Sequence, residues 1–472
     1  MSSEWPVVQI DNIKADVKNA ITIGPFGSRM KSDCYVESGI PVIRGTNLGP
    51  TSNFINDFVY ITEDKADELA SCNVYKNDIV FPHRGSIGEV GIVENDQRYV
   101  LSSSLMKLTC DPHKACPRFI YYFFKSNVGR HELLKNASQV GTPGIGQPLS
   151  SLKSIELSLP PLKTQEKIAI ILGDLDKKID LNWQINQTLE QMAQALFKSW
   201  FVDFEPVKAK ITVLEAGGTQ EDATLAAMTA ISGKDADALA VFEREHPEQY
   251  AELKATAELF PSEMQDSELG EIPEGWHHGP LSNIATFANG KVDVCSLTPE
   301  TYISTENMLE NRAGISTASS LPSVNSVPEF RCGHVLISNI RPYFKKIWLA
   351  RFNGGRSADV LAFEALDAVT VEYVYNLLYQ EAFFNFMMLT SKGVKMPRGD
   401  KKAIMGWQCV YPAKKISNAF SKAVGEYYSF IEINNAQNKT LTQLRDTLLP
   451  KLLSGEITLP EAEQAVSEAE NV

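Results

Sequence analysis

Two long stretches of the chain place apolar residues three or four positions apart, which predicts two long α-helices with a narrow apolar face. The first stretch runs from Lys163 to Phe201 and contains no proline and only one glycine, Gly173. The second runs from Ile416 to Leu453 and repeats the same pattern 252 residues later. Both asparagines on the face of the first stretch, Asn182 and Asn186, recur in the second as Asn434 and Asn438.

Such a face must be covered, and pairing of the two helices as an antiparallel coiled coil would cover both. The buried asparagines would then set the register. The alternative is that each helix packs only on its own domain. Arg445 interrupts the apolar face and is expected to pair with an acidic neighbour. Asp174 and Asp176 are interpreted as a solvated helix face rather than a catalytic pair. The residues predicted to make the pairing are Leu175, Ile179, Asn182, Asn186, Leu189, Leu196, Ile431, Asn434, Asn438, Leu441 and Leu448.

Short β-branched runs of strand length precede each long helix, which indicates an α/β (α+β) globular domain before each of them. Helical spacing over 118–135 and 371–391 predicts one helix in each domain, and Thr62 is a candidate N-cap. The Gly/Pro loops 141–148 and 393–402 are expected to occupy matching positions in the two domains. The chain therefore forms a pseudo-twofold internal repeat. The predicted segments are a first domain 1–160, a helix 161–204, an acidic insertion or linker 205–268, a second domain 269–413, a helix 414–458 and a tail 459–472.

The composition of the chain indicates where the acidic residues lie and in which compartment the protein is expected. The net charge is −13, but residues 205–268 hold 14 acidic and 5 basic residues, so the rest of the chain is close to neutral. The seven cysteines are scattered singly without C-x-x-C spacing, which predicts small core residues in a reducing cytoplasm rather than disulfides or zinc ligands. No apolar run has the length of a membrane span, and the first residues do not resemble a secretory signal.

Signatures of catalysis are missing from the sequence. It contains no phosphate-binding G-x-x-x-x-G-K-[ST], no G-x-G-x-x-G after a strand, no G-x-S-x-G and no H-E-x-x-H. Glu63-Asp64-Lys65 has the spacing of a nuclease metal site, but carboxylates are also favoured in the first turn of a helix.

Basic and hydroxyl residues cluster instead in glycine-rich loops, interleaved with aromatic residues in the second domain. Such loops suit contacts with DNA phosphates and base edges, although each basic residue taken alone could be an ordinary surface charge. The predicted DNA-binding residues are Ser28, Arg29, Lys31, Arg44, Arg84, Ser86, Thr142, Gln147, Arg341, Tyr343, Lys345, Lys346, Arg356, Lys395 and Arg398.

Several phrases, taken together and in order, resemble the specificity subunit of a type I restriction–modification enzyme. They are GPFGSRMKSD, GIPVIRGTNL, RGSIGEVGIV, LPPLKTQEKIA, ALFKSWFVDFEPV, ELGEIPEGW, ISNIRPYF and LRDTLLPKLLSGEI. The resemblance implies two target-recognition domains that bind the two halves of a split, asymmetric site in double-stranded DNA. It implies helices that set the spacing and dock two modification subunits, together with restriction subunits. It also implies that this chain binds no cofactor or metal, with S-adenosylmethionine, ATP and Mg²⁺ on the partners.

The chain departs from the family pattern in the long acidic insertion, in the entry YPAKKISNAF to the second helix, and at Arg445. Two other functions stay open at this point. One is a stand-alone DNA-modifying enzyme, which the missing cofactor motifs disfavour. The other is a coiled-coil scaffold that does not bind DNA, which the net charge of −13 favours.

Overall fold

The structure is a computed structural model that describes residues 5–26, 29–55, 57–138, 143–393 and 395–470, the side chains of 469 and 470 excepted. The chain forms two compact units, Met1–Ile185 with Ile433–Val472, and Asn186–Glu432. Each unit contains one strand-rich part, here named the first head (residues 5–160) and the second head (residues 269–413). Each unit also contains part of both long helices, so the division does not follow the order of the chain.

The α-helices are α1 (Ile10–Ile13), α2 (Glu63–Glu68), α3 (Pro117–Lys125), α4 (Asn127–Leu134), α5 (Pro148–Lys153), α6 (Leu162–Phe201), α7 (Glu205–Glu215), α8 (Gln220–Ser232), α9 (Ala236–Glu245), α10 (Pro247–Glu258), α11 (Val371–Tyr379), α12 (Glu381–Leu389), α13 (Lys401–Met405), α14 (Lys414–Ser454) and α15 (Leu459–Glu470). The two long helices predicted from the repeat are α6 and α14. Among the described residues, no helix combines the length and apolar content that crossing a lipid bilayer requires.

The strands of the first head are β1 (Val7–Gln9), β2 (Ile21–Ile23), β3 (Ile40–Ile43), β4 (Val59–Ile61), β5 (Asn73–Val74), β6 (Ile79–Pro82), β7 (Gly91–Ile92), β8 (Tyr99–Leu101), β9 (Leu105–Leu108), β10 (Ala137–Ser138), β11 (Gly144–Ile145) and β12 (Glu156–Ser158). They form a four-stranded antiparallel sheet in the order β2-β9-β6-β7 and a mixed sheet in the order β4-β3-β8-β5, with β1 paired to β12 and β10 to β11. In the mixed sheet β3 and β8 are parallel.

The strands of unit 2 are β13 (Met264–Gln265), β14 (Ile272–Pro273), β15 (His277–Pro280), β16 (Ala285–Phe287), β17 (Lys291–Asp293), β18 (Tyr302–Ile303), β19 (Ser326–Phe330), β20 (Val335–Ser338), β21 (Ile347–Leu349), β22 (Gly354–Arg356), β23 (Val360–Ala365) and β24 (Gln408–Tyr411). The order β16-β23-β20-β21 repeats the antiparallel sheet of the first head, and β17-β19-β22-β18 again contains one parallel pair, β18 with β22. The heads are therefore two copies of one plan.

Within unit 1, α6 and α14 pair in antiparallel fashion. Asn182 donates from Nδ2 to Oδ1 of Asn438 (2.9 Å). Asp176, which lies nearer the start of α6, contacts Arg445, which lies nearer the end of α14, with 2.7 Å between Oδ1 and Nη1. The amide of Asn438 also donates to the carbonyl of Ile179 (3.2 Å). These polar contacts sit in an apolar face and allow one register, because a shift would leave buried amides without partners.

Most residues predicted to pair are covered, and the rest are half-buried. The buried members are Leu175, Ile179, Asn182, Asn434, Asn438, Leu441 and Leu448, and the half-buried members are Asn186, Leu189, Leu196 and Ile431. In unit 2 the two helices meet through aromatic residues, among them Phe197 and Phe420, whose ring centroids lie 5.7 Å apart. The alternative, that each helix packs only on its own domain, is wrong.

Several local predictions are corrected. The stretch 118–135 is not one helix, since Ser126 turns extended and its hydroxyl caps the following α4 at Gly129. The stretch 371–391 breaks at Gln380, whose backbone is also extended but whose side chain does not cap the following α12. Asp176 is not solvated, because only 1% of it is exposed. The N-cap at Thr62 is confirmed by its bond from the Lys65 N–H (3.2 Å).

The acidic segment 205–268 is helical over α7–α10, and Ala227, Met228, Leu239 and Ala257 form a small core of its own. Cysteines are also not uniformly internal. Cys72, Cys110 and Cys409 are buried, whereas Cys295 and Cys332 are exposed. The prediction of core cysteines is wrong for these two.

Candidate nucleic-acid interface

A left-handed backbone corner follows β6 in the first head. Gly85 adopts φ +85° there, and its N–H donates to the carbonyl of Pro143 (2.9 Å). The preceding Arg84 forms an isolated β-bridge with Gly144. Since Arg84 is exposed, the corner presents a guanidinium at the surface of the head.

The second head has the same corner after β20. The N–H of Arg341 donates to the carbonyl of Pro397 (2.8 Å), and Ile340 forms an isolated β-bridge with Arg398. The two backbone patterns match, which confirms that the loops 141–148 and 393–402 occupy matching positions over their described residues. Arg341, with φ +50°, therefore stands where the first head has Gly85.

The left-handed backbone conformation of Arg341 is unfavourable in free energy for a residue with a Cβ. A left-handed conformation costs a residue with a Cβ about 1 kcal/mol or more, and neighbouring contacts must compensate for it. Glu381 supplies such contacts, since it accepts from Lys345 (2.8 Å) and from Arg312 (2.9 Å). The hydrogen bonds, that of Lys345 above all, lower the pKa of Glu381. The loop that these contacts hold exposes Arg341 and Tyr343 at the surface of the head, and Tyr343 is 46% exposed.

The structure places the predicted DNA-binding residues as follows: Arg29, Lys31, Arg84, Ser86, Gln147, Arg341, Tyr343, Lys395 and Arg398 are exposed, Arg44, Lys345 and Lys346 are half-buried, and Arg356 is buried. Ser28 and Thr142 lie outside the described residues. Some of these side chains already have partners within the head. Arg398 bonds to Asp359 (3.1 Å), and the ammonium of Lys346 donates to the carbonyl of Thr305 (2.8 Å).

The prediction for Arg356 is corrected. Only 7% of the residue is exposed, and its guanidinium donates to three backbone carbonyls, those of Glu329 (3.2 Å), Val360 (2.6 Å) and Ala288 (3.0 Å). These bonds join β22 to its neighbours in the second head. Arg356 therefore stabilises the fold and has no free donor face for DNA.

Two asparagines that shape the loops were missed in the sequence. Asn47 accepts from the N–H of Arg44 (2.9 Å) and donates to the carbonyl of Ile55 (2.9 Å). Asn307 makes the same pair of bonds in the second head, with Ser304 (2.6 Å) and Ser316 (2.8 Å). The recurrence of Asn-Leu at 47–48 as Asn-Met at 307–308 was the available signal.

The exposed side chains of these loops are groups that bind ligands. Burial lowers the pKa of His83, so Arg84 is the positive charge of the first corner near neutral pH. Exposed guanidinium and phenol groups on held loops can contact phosphates and base edges. Over the residues that the structure describes, no three His, Cys, Asp or Glu side chains are grouped so that they could hold a metal ion.

The comparisons with known proteins agree with each other. A family model described as the type I restriction modification DNA specificity domain matches residues 21–191. The type I restriction enzyme HindI specificity subunit of Haemophilus influenzae is 32% identical over 461 residues, which cover 91% of this chain and 97% of that protein. The MjaIX specificity subunit of Methanocaldococcus jannaschii is 24% identical over 421 residues, 86% of this chain and 85% of that protein.

One solved structure is also similar over most of its length. The S subunit of a type I restriction–modification system from M. genitalium covers 96% of this chain and 97% of its own, at 16% identity and a TM-score of 0.48.

Proposed function

The chain belongs to the specificity subunits of type I restriction–modification enzymes, the non-catalytic DNA-recognition component of these systems, and we propose that its heads recognise two unlike half-sites of one DNA sequence. The observation that carries the proposal is the shared corner. Both heads present it with the same backbone bonds, but one has Gly85 where the other has Arg341. Because side chains in the grooves determine which bases are bound, different corners favour different half-sites.

The proposed DNA contacts are Arg29, Lys31, Arg44, Arg84, Ser86 and Gln147 in the first head, and Arg341, Tyr343, Lys345, Lys346, Lys395 and Arg398 in the second. The overall charge of −13 does not oppose this, since most of the acidic excess, −9 from 14 acidic and 5 basic residues, lies in residues 205–268. Of these contacts, Arg341 and Arg84 have the chemistry to bind guanine through two parallel N–H donors.

We place the partner subunits on the long helices. In unit 1, α6 exposes Leu181 and Ile185 on one flank and Trp183 on the other, and α14 exposes Ile433. Large exposed apolar residues on paired helices are a usual feature of docking surfaces. In this proposal two modification subunits, which carry S-adenosylmethionine and methylate adenine, dock there. Restriction subunits with ATP and Mg²⁺ complete the complex.

Methylome sequencing tests the proposal. A strain expressing this chain with its modification subunit is compared with a strain that lacks only this chain. We expect a methyladenine motif of two unlike halves separated by a fixed gap, present in the first strain and absent from the second. Identical methylation in the two strains would overturn the proposal, provided that a pull-down shows the complex assembled.

Arg341→Gly is expected to separate recognition from folding. Glycine relieves the left-handed strain but adds freedom to the unfolded chain, so the free energy of unfolding should stay within about 0.5 kcal/mol of the parent. Binding should lose about 1–3 kcal/mol of discrimination at one half-site. Competition binding of the methyltransferase complex, with DNA altered in one half-site at a time, measures this.

The control is Arg356→Met in the same head. It leaves three buried carbonyls without donors, so it should lower the free energy of unfolding by about 2 kcal/mol or more. If Arg341→Gly instead destabilises the protein and weakens both half-sites equally, Arg341 is a structural residue.

A further inference from the structure

The loop 44–55, which connects β3 towards β4 in the first head, is fastened to α6 by one carboxylate. The hydroxyl of Thr51 donates to Oδ1 of Asp180 (2.7 Å), and the amide of Asn53 donates to Oδ2 (2.6 Å). Thr51 is buried. Both oxygens of Asp180 are thus used to hold the tip of a loop that is 127 or more residues away in sequence.

The second long helix holds the same tip. Arg445 of α14 donates from Nη1 to the carbonyl of Pro50 (3.2 Å) and to Asp176 of α6 (2.7 Å). Asp176 also accepts from the hydroxyl of Tyr122 (2.8 Å). We name Asp176, Asp180 and Arg445 the carboxylate–arginine clamp. A clamp of buried charges holds only one geometry well, because each charge must keep its partners.

The base of the same loop carries a proposed DNA contact. Arg44 donates from Nη2 to the carbonyl of Asp57 (2.9 Å), on the returning side of the loop. Asn47, fully buried, joins the two sides. Movement of the tip would therefore be transmitted to Arg44, since the bonds of Asn47 join the two sides of the loop between the tip and Arg44.

The matching loop of the second head is fastened differently. Arg312 donates to the carbonyl of Tyr379 (3.0 Å) and to Glu381 (2.9 Å), both on the short helices of that head. The N–H groups of Asn311 and Arg312 donate to the carbonyls of Phe344 (2.8 Å) and Lys345 (3.0 Å), in the Arg341 corner. These bonds of the loop lie within its own head.

We propose that the residues of the carboxylate–arginine clamp are positioning residues for one half-site. They fix the loop 44–55 of the first head to the paired helices α6 and α14. Recognition by the first head then depends on how α6 and α14 are paired, whereas the second head holds its loop by itself. The inference rests on the proposed function for its effect on DNA, but the fastening of the loop can be measured without DNA.

The test uses Thr51→Val, which removes the hydroxyl but keeps the shape, with Thr51→Ser as the matched control that keeps the hydroxyl. Asp180→Asn is a second variant, and thermal unfolding shows that each variant is folded. Amide hydrogen exchange of the full chain in its methyltransferase complex is followed in the loops 44–55 and 304–316. Methylation rates are then compared on DNA altered in one half-site or the other.

For Thr51→Val and Asp180→Asn we expect exchange in 44–55 to rise about tenfold, the scale of one lost hydrogen bond to a charged group. Exchange in 304–316 should not change. Discrimination should fall at one half-site only, and Thr51→Ser should behave as the parent. Unchanged exchange in 44–55 would overturn the clamp, and an equal loss at both half-sites would overturn its positioning role. A parent complex without any two-part specificity would overturn the proposed function, while the exchange data would still decide whether the clamp holds the loop.

Discussion

Leu441→Asp is expected to lower the free energy of unfolding of unit 1 by about 4 kcal/mol or more. Leu441 is 1% exposed and packs in the core that α6, α14 and the first head share. The substitution removes a large buried side chain and leaves a carboxylate without a partner. A loss of this size approaches the whole stability of an ordinary domain.

Urea denaturation followed by circular dichroism measures the loss, and size-exclusion chromatography with the modification subunit shows whether the complex still assembles. Ile433→Asp is the matched control for the free energy of unfolding alone, because Ile433 lies on the same helix but is 62% exposed and belongs to the proposed docking surface. It should change stability by less than about 0.5 kcal/mol. Leu189→Asp should lower the free energy of unfolding less than Leu441→Asp does, since Leu189 is only half-buried. Equal losses of the free energy of unfolding from Leu441→Asp and Ile433→Asp would contradict the pairing described for unit 1.

Arg445→Met is expected to lower the free energy of unfolding by about 3–5 kcal/mol, because it leaves Asp176 buried without its cationic partner. Asp176 is 1% exposed and would keep only its bond from the Tyr122 hydroxyl (2.8 Å). Adding Asp176→Asn should recover at least half of the loss, since asparagine carries no charge and still offers an oxygen to Tyr122.

A double-mutant cycle of the parent, both single variants and the pair, each measured by chemical denaturation, gives the coupling energy. Additive losses in the pair would show that Arg445 stabilises the protein by packing alone. The prediction that Arg445 pairs with an acidic neighbour is confirmed by its 2.7 Å contact with Asp176. The energy of that contact stays a prediction until the cycle is measured.

Several elements could be predicted from sequence because the signal is local or repeated. Helical periodicity over about 40 residues gave the bounds of α6 and α14 within a few residues. The repeated order of strands, helix and Gly/Pro loop before each long helix predicted matching loops in the two heads, and the paired backbone bonds at Pro143 and Pro397 confirm it. The breaks at Ser126 and Gln380 were missed, since neither residue is a strong helix breaker and the apolar spacing continues on both sides of each.

The candidate interface was predicted less well, and the arginines show why. Arg341 and Arg356 lie in one basic, aromatic-rich stretch, and no local signal separates them. The structure buries Arg356 among three carbonyls and projects Arg341 from a left-handed corner. Burial depends on which strands become neighbours, and that is a long-range property.

By itself the sequence determined the repeat, the two long helices, their apolar face and the family, because these are properties of spacing and of ordered motifs. Only the tertiary structure decided which charges are free and which are held. Asp176 has the appearance of part of an exposed helix face along the chain, yet it is buried by groups from distant segments, among them Tyr122 and Arg445. The reason is that the free energy of a charge depends on its partners and its exposure, and both arise only when segments far apart in the chain come together.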